Sequence, residues 1–148
     1  MALANNDLYS ESTRGPLPRI QPRNGPGASV RRAFAAVAGG PTLPIGTPCY
    51  VEAATGLLKK IVPGALAATN DIYAIVWPAA ITLDATNSVL GNVMEAGSIH
   101  FDELEALRAA GTLAGTAQQL KDVCRKPSNR TRGIIIEGLD LIGGDAGL

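Results

Sequence analysis

The chain has 148 residues, enough for one domain with an arm or tail to spare. Thirteen basic and thirteen acidic side chains cancel, so the totals give no reason to expect nucleic acid or a membrane surface as partner. Charged residues make up only 18% against about a quarter in ordinary globular chains, which asks for a second dry surface made by self-association or by docking on a larger body.

Residues 1–46 differ from the rest. Seven of the ten prolines fall between Pro16 and Pro48, many beside glycine or arginine. Proline fixes φ and pushes the preceding residue out of the helical region, so this stretch is expected to be extended, largely unpaired and without a core of its own. It carries Arg14, Arg19, Arg23, Arg31 and Arg32 against Asp7 and Glu11, while the remainder has eight basic and eleven acidic groups. An arginine-only arm is either a solvated terminus or a segment that lies down on a partner, and guanidinium suits contact better than ammonium. Within the arm, residues 29–38 fit a short helix capped by Ser29 or an extended strand, and the Gly/Pro flanks tilt the reading toward the strand.

From residue 47 short strands follow closely. Residues 48–53 and 57–62 flank Ala54-Thr55-Gly56, a hairpin turn with Gly56 in a left-handed position. Pro63-Gly64 marks another turn. Residues 72–77, charge-free and rich in β-branched and aromatic side chains, form a strand buried on both faces. Pro78 stops it, and strands over 80–84 and 89–101 come next, the last interrupted by Gly91 and Gly97. Asp102 then offers a carboxylate cap to a short helix over 103–109. A second helix spans 116–126 with Leu120, Val123 and Cys124 on one face, and Pro127 ends it. Residues 128–132 make a basic loop, residues 133–142 a last strand, and residues 143–148 a flexible tail. The expected architecture is mainly β, a small barrel or sandwich of short antiparallel strands over 47–142, with one or two short α-helices and an extended N-terminal arm.

No constellation for catalysis emerges. The single histidine, His100, stands with Ser98 and Asp102 along one extended segment, where neighbouring side chains point to opposite faces and cannot form a triad. Asp102, Glu103 and Glu105 are placed where a helix start stabilises negative charge, so no metal set is needed to explain them. Cys49 and Cys124 read as two reduced, buried thiols. There is no phosphate-cradling glycine motif, so no cofactor is expected. Tyr73 and Trp77, at i and i+4 on one strand face, read as packing residues rather than a base-stacking platform. The charge-free run over 33–51 is broken by three prolines and three glycines and is no membrane helix. The N-terminus lacks a basic patch and an apolar stretch, so a soluble, intracellular product is expected.

One order of elements is familiar. A Pro/Gly-rich leader is followed by a Thr-Gly hairpin (Tyr50-Val51-Glu52-Ala53-Ala54-Thr55-Gly56-Leu57-Leu58-Lys59-Lys60). A hydrophobic strand comes next (Ile72-Tyr73-Ala74-Ile75-Val76), then Glu95-Ala96-Gly97-Ser98-Ile99-His100-Phe101-Asp102-Glu103-Leu104. Over roughly residues 30–110 this resembles the lambda-type head decoration, or capsid cement, proteins of tailed bacteriophages. The resemblance implies a non-enzymatic virion protein made in the host cytoplasm. Such proteins form homotrimers on the capsid's outer surface at local three-fold positions and clamp neighbouring major capsid protein subunits, the arm ordering on the shell. It implies capsid contact for Arg14, Arg19, Arg23, Arg31 and Arg32, and subunit contact for Tyr73, Trp77, His100 and Phe101. A small β-barrel adaptor of a tail or baseplate, or a carbohydrate-binding module, is the alternative. That module requires an exposed aromatic platform, which six aromatics supply poorly.

Overall fold

The structure, a computed structural model, describes residues 19–23, 29–66 and 71–139. Among the described residues the strands are β1 (Ile20–Pro22), β2 (Val30–Phe34), β3 (Thr42–Leu43), β4 (Pro48–Val51), β5 (Leu58–Lys60), β6 (Ala74–Val76), β7 (Ile81–Thr82), β8 (Val89–Met94), β9 (Gly97–His100) and β10 (Ile134–Glu137). The helical segments among the described residues are α1 (Pro63–Leu66), α2 (Phe101–Ala109), α3 (Ala117–Cys124) and α4 (Pro127–Arg132). Strands β2-β5-β4-β6-β8 close into a barrel, β3 and β7 form a two-stranded ribbon, and β1-β9-β10 make a separate three-stranded sheet. The mainly β, barrel-type architecture read from the sequence is therefore the observed one.

Two dry interiors result. All five barrel strands send side chains to the first, which holds Phe34, Cys49, Leu58, Ala74, Val76 and Val93 together with Leu43, Ile81 and Leu83 from the ribbon and its flank. Five strands enclose a narrow space, which favours small residues such as Ala74 and Cys49 around one aromatic ring. Gly91 belongs to the same economy of space, because a Cβ there would come within 2.5 Å of Ile81 Cδ1. The second interior lies outside the barrel wall. Ile75 and Met94 from β6 and β8 pack there against Ile20, Ile99 and Ile134 of the three-stranded sheet and against Phe101, Leu104, Leu120 and Val123 of the helices. Adjacent residues of β6 thus face different cores, Ile75 the outer and Ala74 and Val76 the inner, as a strand's two-residue period dictates. This is the both-faces burial expected for residues 72–77.

The hairpin expected over 48–62 is β4–β5, with Gly56 at φ 74° and its N–H donating to the Glu52 carbonyl at 2.7 Å. The strand reading of residues 29–38 holds as β2, which pairs antiparallel with β8. The expectation of an unpaired arm up to residue 46 is corrected for the described part. β1 lies antiparallel on β9 with Ile20 buried, β2 is a barrel strand, and β3 pairs with β7. A partner strand supplies what a proline-rich segment cannot supply alone. Residues 1–18, including Arg14, and the tail over 143–148 lie outside the described residues.

The single extended run expected over 89–101 is in fact two strands in two sheets, broken at Glu95-Ala96. Gly97, at φ 148°, is required at the restart, because a Cβ would strike the backbone of β1 at Gln21 and Pro22. Two helices replace features read otherwise. α1 occupies the Pro63-Gly64 turn, and α4 occupies the expected loop over 128–132, opened by Pro127 at its first turn and closed by Gly133 in the left-handed conformation. α3 lies where expected, held by a reciprocal cap between Thr116 and Gln119, with Leu120, Val123 and Cys124 buried. β10 covers residues 134–137 of the expected last strand and runs parallel to β9, so the strands are not all antiparallel. No helix among the described residues is long and apolar enough to cross a membrane.

Candidate functional site

The arginines assigned to partner contact divide into two groups. Arg19 lies beside the start of α2, with Nη2 2.8 Å from Asp102 Oδ2 and Nε 3.9 Å from Glu103 Oε2. Arg32 grips Glu95 through both Nε and Nη2, the latter 2.9 Å from Oε1, and this charge-assisted pair raises the Arg32 pKa further. Two of the five are therefore engaged within the fold. Arg23 is exposed, and its backbone N–H donates to the Ala96 carbonyl at 2.9 Å. Arg31 is exposed on the opposite side of β2 from Arg32, where it borders a shallow depression of about 280 Å³ with Leu90, Ala79, Ala80 and Thr82. Arg23 and Arg32 flank the Glu95-Ala96 turn while Arg19 sits at the far end of β9, so these side chains make no single stripe.

The proposed subunit-contact residues also separate. Phe101 is 2% exposed in the outer core, because α2 begins two residues earlier than expected and turns its ring inward; its assignment to an intersubunit surface is corrected. Tyr73 packs on the barrel core and Trp77 on the outer core, so they do not share a face. The i, i+4 argument fails because β6 is regular only from Ala74. His100, not Asp102, is the N-cap of α2, and its Nδ1 accepts the Asp102 backbone N–H at 3.2 Å. Asp102 and Glu103 stand in the first helical turn, where the free N–H groups favour them, and Arg19 neutralises them from outside.

A buried, fully bonded amide escaped the sequence reading. Asn129, 1% exposed on α4, accepts from Ile72 N–H at 2.8 Å and donates through Nδ2 to the carbonyls of Val123 at 2.8 Å and Cys124 at 3.3 Å. Beside it, Asp71 receives Ser128 Oγ at 2.6 Å, Lys126 Nζ at 3.2 Å and Arg132 Nε at 3.3 Å. The Ser128 hydrogen bond, followed by those from Lys126 and Arg132, outweighs partial burial and holds the Asp71 carboxyl below its ordinary value. The signal available was Pro127 opening a helix directly after α3. It was overlooked because residues 127–132 carry no apolar periodicity.

Two depressions flank this polar clasp, one of about 500 Å³ bordered by Tyr73, Glu95, Ser128 and Arg132. The other, of about 730 Å³, runs along β10 and α4 past Arg130, Ile135 and Glu137. In the first, Ser128 is bonded to a carboxylate that acts as an ion-pair partner, and His100 sits at the opposite end of β9 from Glu95, so nucleophile and base are not assembled there. Burial pushes the thiols of Cys49 and Cys124 up to about 12, which leaves both protonated and poorly nucleophilic at neutral pH. No cluster of three or more His, Cys, Asp or Glu among the described residues is arranged to hold a metal ion. No protein-family model and no characterised protein sequence matches this chain.

Proposed function

We propose that the chain is a structural virion protein that binds the outside of a phage capsid as a homotrimer and holds neighbouring major capsid subunits together, without enzymatic activity. The observation that carries this reading is where the reactive groups are spent. His100 caps a helix, Asp102 and Glu103 meet Arg19, Glu95 holds Arg32, and Asp71 ties three side chains of the α3–α4 segment, so each serves cohesion. Apolar side chains meanwhile stand in solvent, Leu90 at 61% and Val30 at 40% exposed, as suits a surface that meets another protein. The order of hairpin, hydrophobic strand and Gly-Ser-Ile-His-Phe-Asp-Glu segment supports the same class. Because residues 19–23 and 29–46 belong to the fold, the docking leader in this reading is residues 1–18 with the exposed Arg23 and Arg31. A carbohydrate-binding module is less well supported, since Phe34, Tyr50, Tyr73, Trp77 and Phe101 are all buried or half-buried.

Light scattering and co-sedimentation with expanded phage shells lacking their decoration protein test the proposal. A mass of three chains, saturable binding at a fixed ratio to capsid subunits, and at least tenfold weaker binding after removal of residues 1–18 are expected. A persistent monomer that ignores shells, or binding undiminished by the truncation, overturns it.

A further inference from the structure

We infer that the outer edge of β10 is a strand-addition site, which takes an extended acidic segment of another protein into the slot between β10 and the corner of α3 and α4. The Gly97 N–H donates to the Gly133 carbonyl at 3.0 Å, and this bond sets the phase of the parallel β9–β10 ladder. Alternate residues bond to the neighbour in such a ladder, so Ile135 and Glu137 turn their backbone groups toward β9. Ile134 and Ile136 turn theirs outward, where no strand among the described residues meets them. Ile134 is buried where α4 leads into the strand, whereas Ile136 is only partly so. The N–H and C=O of Ile136 are therefore the pair on offer, on an isoleucine-rich edge of the kind that templates a further strand.

The other edges suit such pairing less well. The barrel strands close on themselves and leave none. On β1, the bonds of Arg23 with Ala96 and of His100 with Arg19 put Ile20 and Pro22 on the outward side, and Pro22 has no N–H to give. Beside β10, by contrast, lies the depression of about 730 Å³, bordered by consecutive residues from Ile134 to Leu139 and by the α3–α4 corner. It offers backbone pairing on one wall and side-chain contact on the other, which is how an extended peptide is held as an added strand. Charge selects the occupant. Arg125, Lys126 and Arg130 border the slot against the one carboxylate of Glu137 among the described residues, so an acidic segment is attracted and a basic one repelled. Ile134 and Ile136 pack on the outer core, so apolar side chains at alternate positions of the occupant continue that surface. This inference rests on the fold alone and stands whether or not the chain binds a capsid.

Amide hydrogen exchange of the full-length protein, read by NMR, tests it with the blocked hexapeptide Asp-Val-Thr-Val-Glu-Val as probe. In the free protein the Ile136 amide should exchange about tenfold faster than that of Ile135, which is bonded to β9. Saturating probe should slow Ile136 about tenfold and leave Ile135 unchanged. The same peptide with lysine in place of its two acids should bind about tenfold more weakly. Ile136→Pro removes the outward N–H and spares the β9 ladder, so probe binding should be lost. Arg130→Glu changes an exposed side chain at the rim, leaves the fold intact and should weaken the probe about tenfold. An Ile136 amide already protected in the dilute free protein, as when residues 140–148 hold the edge themselves, overturns the inference. So does protection that grows with protein concentration alone, the mark of a second copy. Equal binding of the two peptides, no slowing at millimolar probe, or binding untouched by Arg130→Glu overturns it as well.

Discussion

The barrel interior and the core outside its wall both take side chains from β6 and β8, yet they are built differently. Among the described residues nine buried side chains fill the inner core and fourteen the outer one, so most of their apolar cohesion lies outside the barrel. The inner core is closed by strand pairing around a narrow space. The outer core is closed by helices and a three-stranded sheet whose ends need polar fastening from Asn129, Asp71 and His100. A small barrel with one face of its wall so heavily covered does not behave as a barrel with appendages. Ile75 and Met94 of the outer core stand next to Val76 and Val93 of the inner one on the same two strands, and the physical expectation is one cooperative unit.

The sharpest way to break that comparison is to empty each core in turn. Phe34→Ala in the barrel and Leu104→Ala outside it should each cost about 3–4 kcal/mol, and both should shift one common transition. Urea unfolding followed by Trp77 fluorescence, which reports the outer core, and by far-UV circular dichroism checks this. Transitions that separate in the Phe34→Ala protein would show two independent units. Asn129→Ala should cost about 2–3 kcal/mol, more than a surface polar residue, because it leaves the buried Ile72 N–H without its acceptor and takes the amide donor away from the Val123 and Cys124 carbonyls. Its effect measures how far the outer core depends on polar fastening.

The smallest effect is the most specific. Asp71 has a folded-state pKa below its unfolded value, so its contribution is present above the ordinary aspartate range near 4 and is lost as pH falls through the folded value. Asp71→Asn should therefore cost about 1 kcal/mol at pH 7, a difference that shrinks as pH falls below the ordinary aspartate range, read from urea midpoints along a pH series. A constant difference across that range would mean that packing, not charge, secures α4.

Much of the barrel was legible in the sequence, because its signals are local. A Thr-Gly turn sets the β4–β5 register, an uncharged run bounded by Pro78 marks β6, and Thr116, Gln119 and the Leu120/Val123/Cys124 face define α3. The outer layer was read less well because its elements exist through contacts distant in sequence. Ile20 sits between prolines and becomes a strand only by lying on Ile99. The break at Glu95-Ala96 depends on β1 pressing on Gly97. His100 displaced Asp102 as cap because Phe101 had a core to enter, and the sequence of α4 carries no apolar stripe while the side chain it sends inward at Asn129 is an amide. For the candidate site, residue types were recognised and neighbours were not: the arginines and the histidine are present, but their partners are set by tertiary pairing.

The three-stranded sheet fixes where the polypeptide enters and leaves. β1 begins opposite Ile99 and β10 finishes opposite His100, so the described chain starts and ends at the same tip of β9, on either side of it. Two strand spacings, about 10 Å, separate the points of entry and exit. The two ends of the described chain are thus rooted at one end of the three-stranded sheet.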